Sequence, residues 1–506
     1  MSQLLHRLAP DSAGPSLAEL TLQARELLAA GRAAEALAVI EGVLAASPGL
    51  QPAEMVRSAA VQALQAAEPV LTALELTAVI RAEDPAAQLD LAHAYAEVGR
   101  PADSERYFKR ALAVHPRMAA AHAGLAALYL SVGIEEGAEH HSRLALRCEA
   151  ANAVASQTLA EILERRGETA AATAILDEAY SRQSLFLEPA PQSRMTVLVL
   201  STRSAGNIPY RYLLPASRYT RLIWYMEHAR ESQFATLPPY DLVFNAIGDP
   251  DLAAPSAEAV RRFLERCERP VLNPPGKVAH TSRSQAPALL GDIKDVVAPP
   301  TARIARLALE RRGLRGAVAD AGLQPPLLVR PVGSHGGKGL ERALTWPELE
   351  AAAAALGQHD DLYITAYRDY RSADGLYRKG RVIFIDRRPY PYHWAGAEHW
   401  MVHYDASGAG EDPARRAEEL SFLQDPVSAL GARAWGAITR IGERLDLDYC
   451  GLDFSILPDG RVLVFEANAT MLVHPEDEGG PLAAKNPTVD RITGAFQAHL
   501  HALAGA

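Results

Sequence analysis

The stretch GLDFSILPDGRVLVFEANA, Gly451 to Ala469, reads as two strands joined by a tight turn at Pro458-Asp459-Gly460. Folding the chain about that turn brings Asp453 roughly opposite Glu466, and Asn468, two residues on, falls on the Glu466 face. Val462 and Val464 precede them at the same parity, so the polar groups are expected to point towards a covered site. Two carboxylates and an amide oxygen gathered there repel one another unless a cation joins them. Hard oxygen donors with open positions suit magnesium bridging nucleotide phosphates. The competing reading is a set of charges at an exposed hairpin base.

Upstream, LLVRPVGSHGGKGL (Leu327 to Leu340) sets Gly333, Gly336, Gly337 and Gly339 around Ser334, His335 and Lys338. Glycines free the backbone to approach a ligand closely, with amide N–H groups turned to phosphate oxygens. A Walker A loop is excluded, because Lys338 is followed by Gly339 and a strand-like LERA rather than by Ser or Thr and a helix. What remains is a flap between two strands, with Arg330 as a fixed cation beneath the phosphates. An exposed, flexible hairpin tip is the plainer alternative.

With these two motifs, the region from about Met195 to Ala506 resembles the ATP-grasp superfamily, in the style of glutathione synthetase and the ribosomal-protein glutamate ligases. The resemblance implies that Asp453, Glu466 and Asn468 hold magnesium, two ions by expectation, with ATP as co-substrate. It makes Ser334, Gly336, Gly337, Lys338 and Gly339 part of the flap. Arg283 in HTSRSQ and Arg330 become basic phosphate contacts, and Arg381 the arginine that steadies the transferred phosphate. TAYRDY supplies the adenine linker, with Thr365, Ala366, Tyr367 and Asp369. Two departures stand out. Arginine occupies position 330 where lysine is usual, and Ala366 stands where a glutamate is common, so ribose contacts fall to Asp369 or Asp374. The chemistry implied is phosphorylation of a carboxylate to an acyl phosphate, which an amine then attacks, with Arg330 and Arg381 neutralising charge.

YPYHWAGAEHWMVHY, Tyr390 to Tyr404, follows the Arg381 strand and carries His393, Trp394, His399, Trp400 and His403. It is expected to line the acceptor pocket, with His474 as a weaker companion. A metal site using His399 and His403 at i, i+4 spacing, or a packed loop, are the other readings.

Between residues 195 and 275, MTVLVL (Met195 to Leu200), RLIWYM (Arg221 to Met226), DLVFNAIG (Asp241 to Gly248) and PVLN (Pro270 to Asn273) read as strands, with a helix from Ser256 to Arg269. This predicts a small parallel α/β domain whose loops carry Asn207, Asn245 and Asp249 at the ligand edge. Residues 276–506 read as an α+β domain, and LEPAPQSR (187–194) as a linker.

Residues 17–186, after a tail over 1–16, are rich in alanine and leucine and repeat with a period of about 34, the tetratricopeptide pattern. Pro85 to Pro116 is the clearest unit, with Leu91, Ala92, Tyr95, Ser104, Phe108 and Ala111. The phase carries forward to Leu125, Ala126, Tyr129, Ala138 and Ala145, then to Leu159, Ala160, Leu163, Ala172 and Ala179. It carries back to Ala24, Leu27, Ala36, Ile40 and Pro48, through a degenerate unit from Gln51 to Glu83. Gly31, Gly99, Gly133 and Gly167 sit at the expected turns. About five helix pairs form an all-α solenoid whose concave face suits a peptide, a protein or a second copy of the chain.

A net charge of −10 argues against nucleic acid as a partner. Three cysteines far apart argue against disulfides and cysteine–zinc sites, and no apolar run is long enough for a membrane span, so a cytoplasmic protein is expected. The function expected is a carboxylate–amine ligase acting on a peptide or small metabolite, its repeats recruiting a peptide or protein. A kinase on the same core, or a repeat scaffold with non-catalytic nucleotide binding, are the alternatives.

Overall fold

The structure is a computed structural model and describes residues 17, 20–21, 23–25, 33–47, 50–190, 193–203, 206–215, 218–334, 336–356, 361–404, 412–476 and 482–505. The tail 1–16 and Leu27, Gly31, Pro48 and His335 lie outside the described residues. The chain divides into two compact units, the first running to Gln183 with the short segment Glu476–Ala483, the second formed by Ser184–Pro475 and Ala484–Ala506.

The first unit is helical. Three antiparallel pairs follow one another: Pro85–Glu97 with Pro101–Val114, Ala119–Ser131 with Glu135–Cys148, and Ala153–Arg165 with Thr169–Arg182. Their turns contain Gly99, Gly133 and Gly167 at φ 70°, 77° and 79°, a left-handed backbone that a side chain would strain. Leu91, Ala92, Phe108, Ala111 and Leu125 are buried in one cluster, as the period requires, and Ala126 is buried as well. Helix approach is close enough that a Cβ on Gly124 would overlap the Phe108 ring. Ahead of these pairs comes a departure. Ala33–Ala46 packs on a single helix, Gln51–Ile80, of 30 residues, where the period predicts two. Gln65 stands where the other units have their turn glycine, so nothing there takes the left-handed turn and the helix continues.

The second unit contains three sheets. In the first, β1 (Leu185–Glu188), β2 (Thr196–Ser201), β3 (Thr220–Tyr225), β4 (Leu242–Asn245) and β5 (Val271–Leu272) lie in the order β1-β3-β2-β4-β5. All are parallel except β1, which closes the edge against β3 and includes two residues read above as linker. The helix expected from Ser256 to Arg269 is shorter, Ala257–Leu264.

Next come β6 (Val296–Val297), β7 (Thr301–Ala305), β8 (Leu327–Pro331), β9 (Glu341–Ala343) and β10 (Asp361–Ala366). The last four form a small antiparallel sheet in the order β7-β10-β8-β9, backed by Arg306–Asp320 and Trp346–Ala355. Then β11 (Tyr377–Ile385), β12 (Arg388–Ala397), β13 (Tyr449–Ile456) and β14 (Val462–Asn468) form, with β6, a larger sheet in the order β12-β11-β13-β14-β6. One face of it packs on the helix Ala432–Leu445 through Val382, Phe384, Leu452 and Phe454. Part of the other face, Ile383, Ile385 and Tyr449, shares a core with the parallel sheet and the helix Asn486–Ala504, through Val489, Ile492 and Phe496. Among the described residues no helix is long and apolar enough to cross a membrane, and the cysteines are free.

Candidate active site

On the face of the larger sheet that carries Ile383 and Tyr449, four residues of four neighbouring strands line up. His393 of β12 pairs with Arg381 of β11, Arg381 with Asp453 of β13, and Asp453 with Glu466 of β14. Directly paired residues share a face, so the row places an imidazole, a guanidinium and two carboxylates side by side. Apolar side chains flank it along the same face, with Ile383, Ile385 and Tyr449 on one side and Tyr370, Tyr377 and Leu463 on the other. Those flanks explain why Asp453 is only 3% exposed and His393 only 4%.

The expected approach of Asp453 and Glu466 is therefore present, but Val462 and Val464 do not share their face. A bulge between the pairs Asp453–Glu466 and Phe454–Val464 inserts Phe465. Val462 and Val464 pack with the Ala432–Leu445 helix, whereas Phe465 meets the Tyr370 ring at 4.9 Å and Glu466 continues on the side of Asp453. The extra residue turns Glu466 from the helix-packed face to the polar one.

Each carboxylate has a cationic partner. Arg381 donates to Asp453 from Nε at 2.6 Å and Nη2 at 2.9 Å, and Lys379 Nζ lies 3.1 Å from the same carboxylate. Arg283 Nη2 donates to Glu466 at 2.5 Å. Burial would raise the Asp453 pKa, but Arg381 and Lys379 outweigh it and hold the group well below the ordinary carboxylate range. Burial acts the same way on Glu466, and Arg283 overcomes it, so this group too is ionised. For His393, burial and then the Arg381 charge hold the imidazole neutral, far below its usual pKa.

The small sheet presents a second cationic group. Arg330 pairs with Tyr363 across β8 and β10, on the face away from the backing helices. Its Nε donates to Ser334 Oγ at 3.0 Å and its Nη2 to the Ser334 carbonyl, which ties the arginine to the start of the glycine loop. Burial and the nearby Arg283 push its pKa down to about 10. Tyr363 donates to Asp251 at 2.8 Å, linking the small sheet to the loop after β4. Asp249, Asp251, Thr281, Arg283, Glu466 and Asn468 line a cleft with only about 10 Å³ of open space, room for one water. A triphosphate needs side chains here to move.

Oxygen donors fit a hard divalent cation. Among the described residues no three His, Cys, Asp or Glu side chains converge, so a cation here would have Asp453, Glu466 and the Asn468 amide to draw on. Asn468 Oδ1 already accepts from Thr470 N and Thr470 Oγ, both at 2.7 Å, and must exchange the rotatable hydroxyl to serve.

Other expected residues are placed variously. Thr365 Oγ1 meets Thr301 Oγ1 at 3.0 Å. The N–H groups of Ala366 and Tyr367 donate to Pro300 and Pro326 carbonyls, so the linker has these donors engaged. Asp369 accepts from Arg371 N, and Asp374 pairs with Arg378. Lys338 is exposed, and Gly336, in the left-handed region at φ 62°, has open space where a Cβ would stand. His393 stacks on Tyr404 at 4.4 Å, and Trp394 points to the opposite, helix-packed core. His399 lies in a bend and His403 in irregular chain rather than in a helix, so their i, i+4 spacing does not bring them to one helical face. His474 reaches the Tyr392 hydroxyl through its N–H at 3.4 Å. Sequence reading missed Lys379, Arg342 and the buried Lys485, whose ammonium lies 4.2 Å from the Tyr404 ring centre. Lys379 was legible, being two residues before Arg381 on the same strand face.

No protein-family model matches the chain, and no curated protein does. Among solved structures, the amino-terminal third is similar to the MamA protein at 16% identity (33% of this chain, 92% of that one, TM-score 0.22). It is also similar to TTC0263, a TPR protein of Thermus thermophilus, at 21% identity with the same coverage and TM-score. The chain is similar over 60% of its length to the VanG D-Ala:D-Ser ligase of Enterococcus faecalis, at 13% identity, 99% of that chain and TM-score 0.36.

Proposed function

We propose that the second unit is an ATP- and magnesium-dependent carboxylate–amine ligase working through an acyl phosphate. The observation that carries this reading is the row Arg381–Asp453–Glu466, closed at one end by Arg283. Such a row is an array of balanced charges in a poorly solvated place, ready to exchange arginine partners for a cation and phosphate oxygens. Magnesium held by Asp453, Glu466 and Asn468 would neutralise the phosphate chain. Arg381, released from Asp453, would then reach the transferring phosphoryl group, while Arg283 and Arg330 hold the remaining phosphates in place. The loop Gly336 to Gly339 would cover them. The acid and amine would enter beside His393 and the segment from His399 to His403.

The helical unit is proposed to recruit a peptide or protein. Its groove, with about 440 Å³ of open space, is lined mainly by small and apolar side chains such as Phe108, Ala123 and Leu128.

Incubation with ATP and magnesium against a panel of acids and amines tests the ligase. Acceptor-dependent ADP with an amide product supports it. ADP with a phosphorylated acid and no amide favours a kinase. Failure of the protein to bind Mg–ATP at all removes both.

A further inference from the structure

A loop of glycines has few side chains with which to hold itself down. In this structure two contacts do so from the segment after β12. A Cβ on Gly337 would stand 2.6 Å from His403 Cε1 and 3.4 Å from Met401 Sδ, so the loop backbone rests against both. Just beyond the loop, Arg342 of β9 lies with its guanidinium carbon 5.1 Å from the centre of the Tyr367 ring and 5.2 Å from that of Trp400. Its Nη1 donates to the Tyr367 hydroxyl at 3.1 Å. The two rings meet edge to face at 6.2 Å and 84°. The Tyr370 hydroxyl donates to the Trp400 carbonyl, which fixes this segment to the linker.

Arg342 belongs to the nucleotide-facing side of the small sheet. It pairs with Leu328, two residues before Arg330 on β8, and so shares the Arg330 face. One side chain thus connects the strand leaving the glycine loop, the linker, and the aromatic segment of the larger sheet. Indole is the strongest of the aromatic partners for a cation, and the attraction tolerates small shifts of the guanidinium better than a hydrogen bond does.

We propose that Arg342 is a positioning residue that latches the glycine loop over bound nucleotide by seating on Trp400 and Tyr367. This rests on the reading of the cleft as a magnesium–nucleotide site. A latch acts on escape rather than entry, so its signature is the dissociation rate.

The test uses the full chain and a fluorescent probe, Mg–mant-ADP, displaced by excess Mg–ADP in a stopped-flow experiment. Arg342→Ala and Trp400→Ala are expected to speed dissociation about tenfold with association unchanged, the size of one or two partly desolvated cation–aromatic contacts. Arg342→Lys and Trp400→Phe keep a cation and a ring and should stay within about threefold of wild type. Melting midpoints without nucleotide should be unaltered in all four. Wild-type dissociation rates in Arg342→Ala and Trp400→Ala overturn the latch. So does faster dissociation that appears equally in Arg342→Lys or tracks a fall in melting midpoint. If the wild type gives no mant-ADP signal, the nucleotide-site reading itself fails and takes the latch with it. That failure is separate, because it shows before any substitution is made.

Discussion

Arg381 and Asp453 face each other across β11 and β13 and share two hydrogen bonds, of 2.6 and 2.9 Å, in a forked arrangement shielded from water. A lysine can replace the charge but not the fork. On the proposed ligase reading, Arg381→Lys should leave the fold intact and lower turnover by about 10²–10³, the usual loss when one transition-state donor is removed. Arg381→Met should in addition lose about 3–5 kcal/mol of stability, because the Asp453 charge stays buried with Lys379 alone. Steady-state ADP release and denaturant titration read the two effects.

Gly337 has φ 73° and lies against His403. In Gly337→Ala the new methyl meets both a left-handed backbone cost of about 1–2 kcal/mol and the imidazole. Calorimetry should show weaker binding of a nonhydrolysable Mg–ATP analogue by about tenfold. Adding His403→Ala should recover part of the loss, since only the steric share is relieved.

The helical unit offers a stability test that involves none of the site residues. Gly124→Ala pushes a methyl into the Phe108 ring between the helices Pro101–Val114 and Ala119–Ser131. Overpacking of this kind costs about 1–3 kcal/mol, and a lower denaturation midpoint in the full chain is the expected result.

Acid should weaken the fold in two windows. His141 has its pKa lowered to about 4 by burial and then by His122, to which it is bonded Nδ1 to Nδ1 at 2.9 Å. His393 is likewise held neutral by burial and Arg381. Unfolded histidine titrates near ~6.5, so the unfolded chain binds more protons below that pH. The stabilisation is complete above about pH 7 and declines as pH falls through ~6.5. His141→Gln should flatten the melting-temperature profile between about pH 7 and 5. Asp448, Asp453 and Glu466 have depressed values, so their contribution is lost only lower, as pH drops below the ordinary carboxylate range of ~4.

The hairpin and the repeat period were readable because both rest on short-range rules. Pro458-Asp459-Gly460 sets a register by itself, and small and aromatic residues recurring at a fixed step can satisfy only one kind of stack. What escaped depends on context. The single helix from Gln51 to Ile80 follows from a missing glycine, which is visible only once the other turns are known. β1 exists because β3 offers an open edge, and Leu185–Glu188 in isolation carries no strand pattern long enough to read. The pairing of Arg283 with Glu466 joins segments far apart in sequence, and no local pattern encodes it.

The bulge at Phe465 has a consequence for how this region tolerates change. Between the Pro458 turn and Glu466, the count of residues determines which of two opposite surfaces receives the carboxylate. Losing or gaining a single residue there would send Glu466 into the greasy interior behind Val464 and bring an apolar neighbour out in its place. Substitutions along that segment can drift while its length stays locked, and an insertion there is far more damaging than the same insertion in any surface loop.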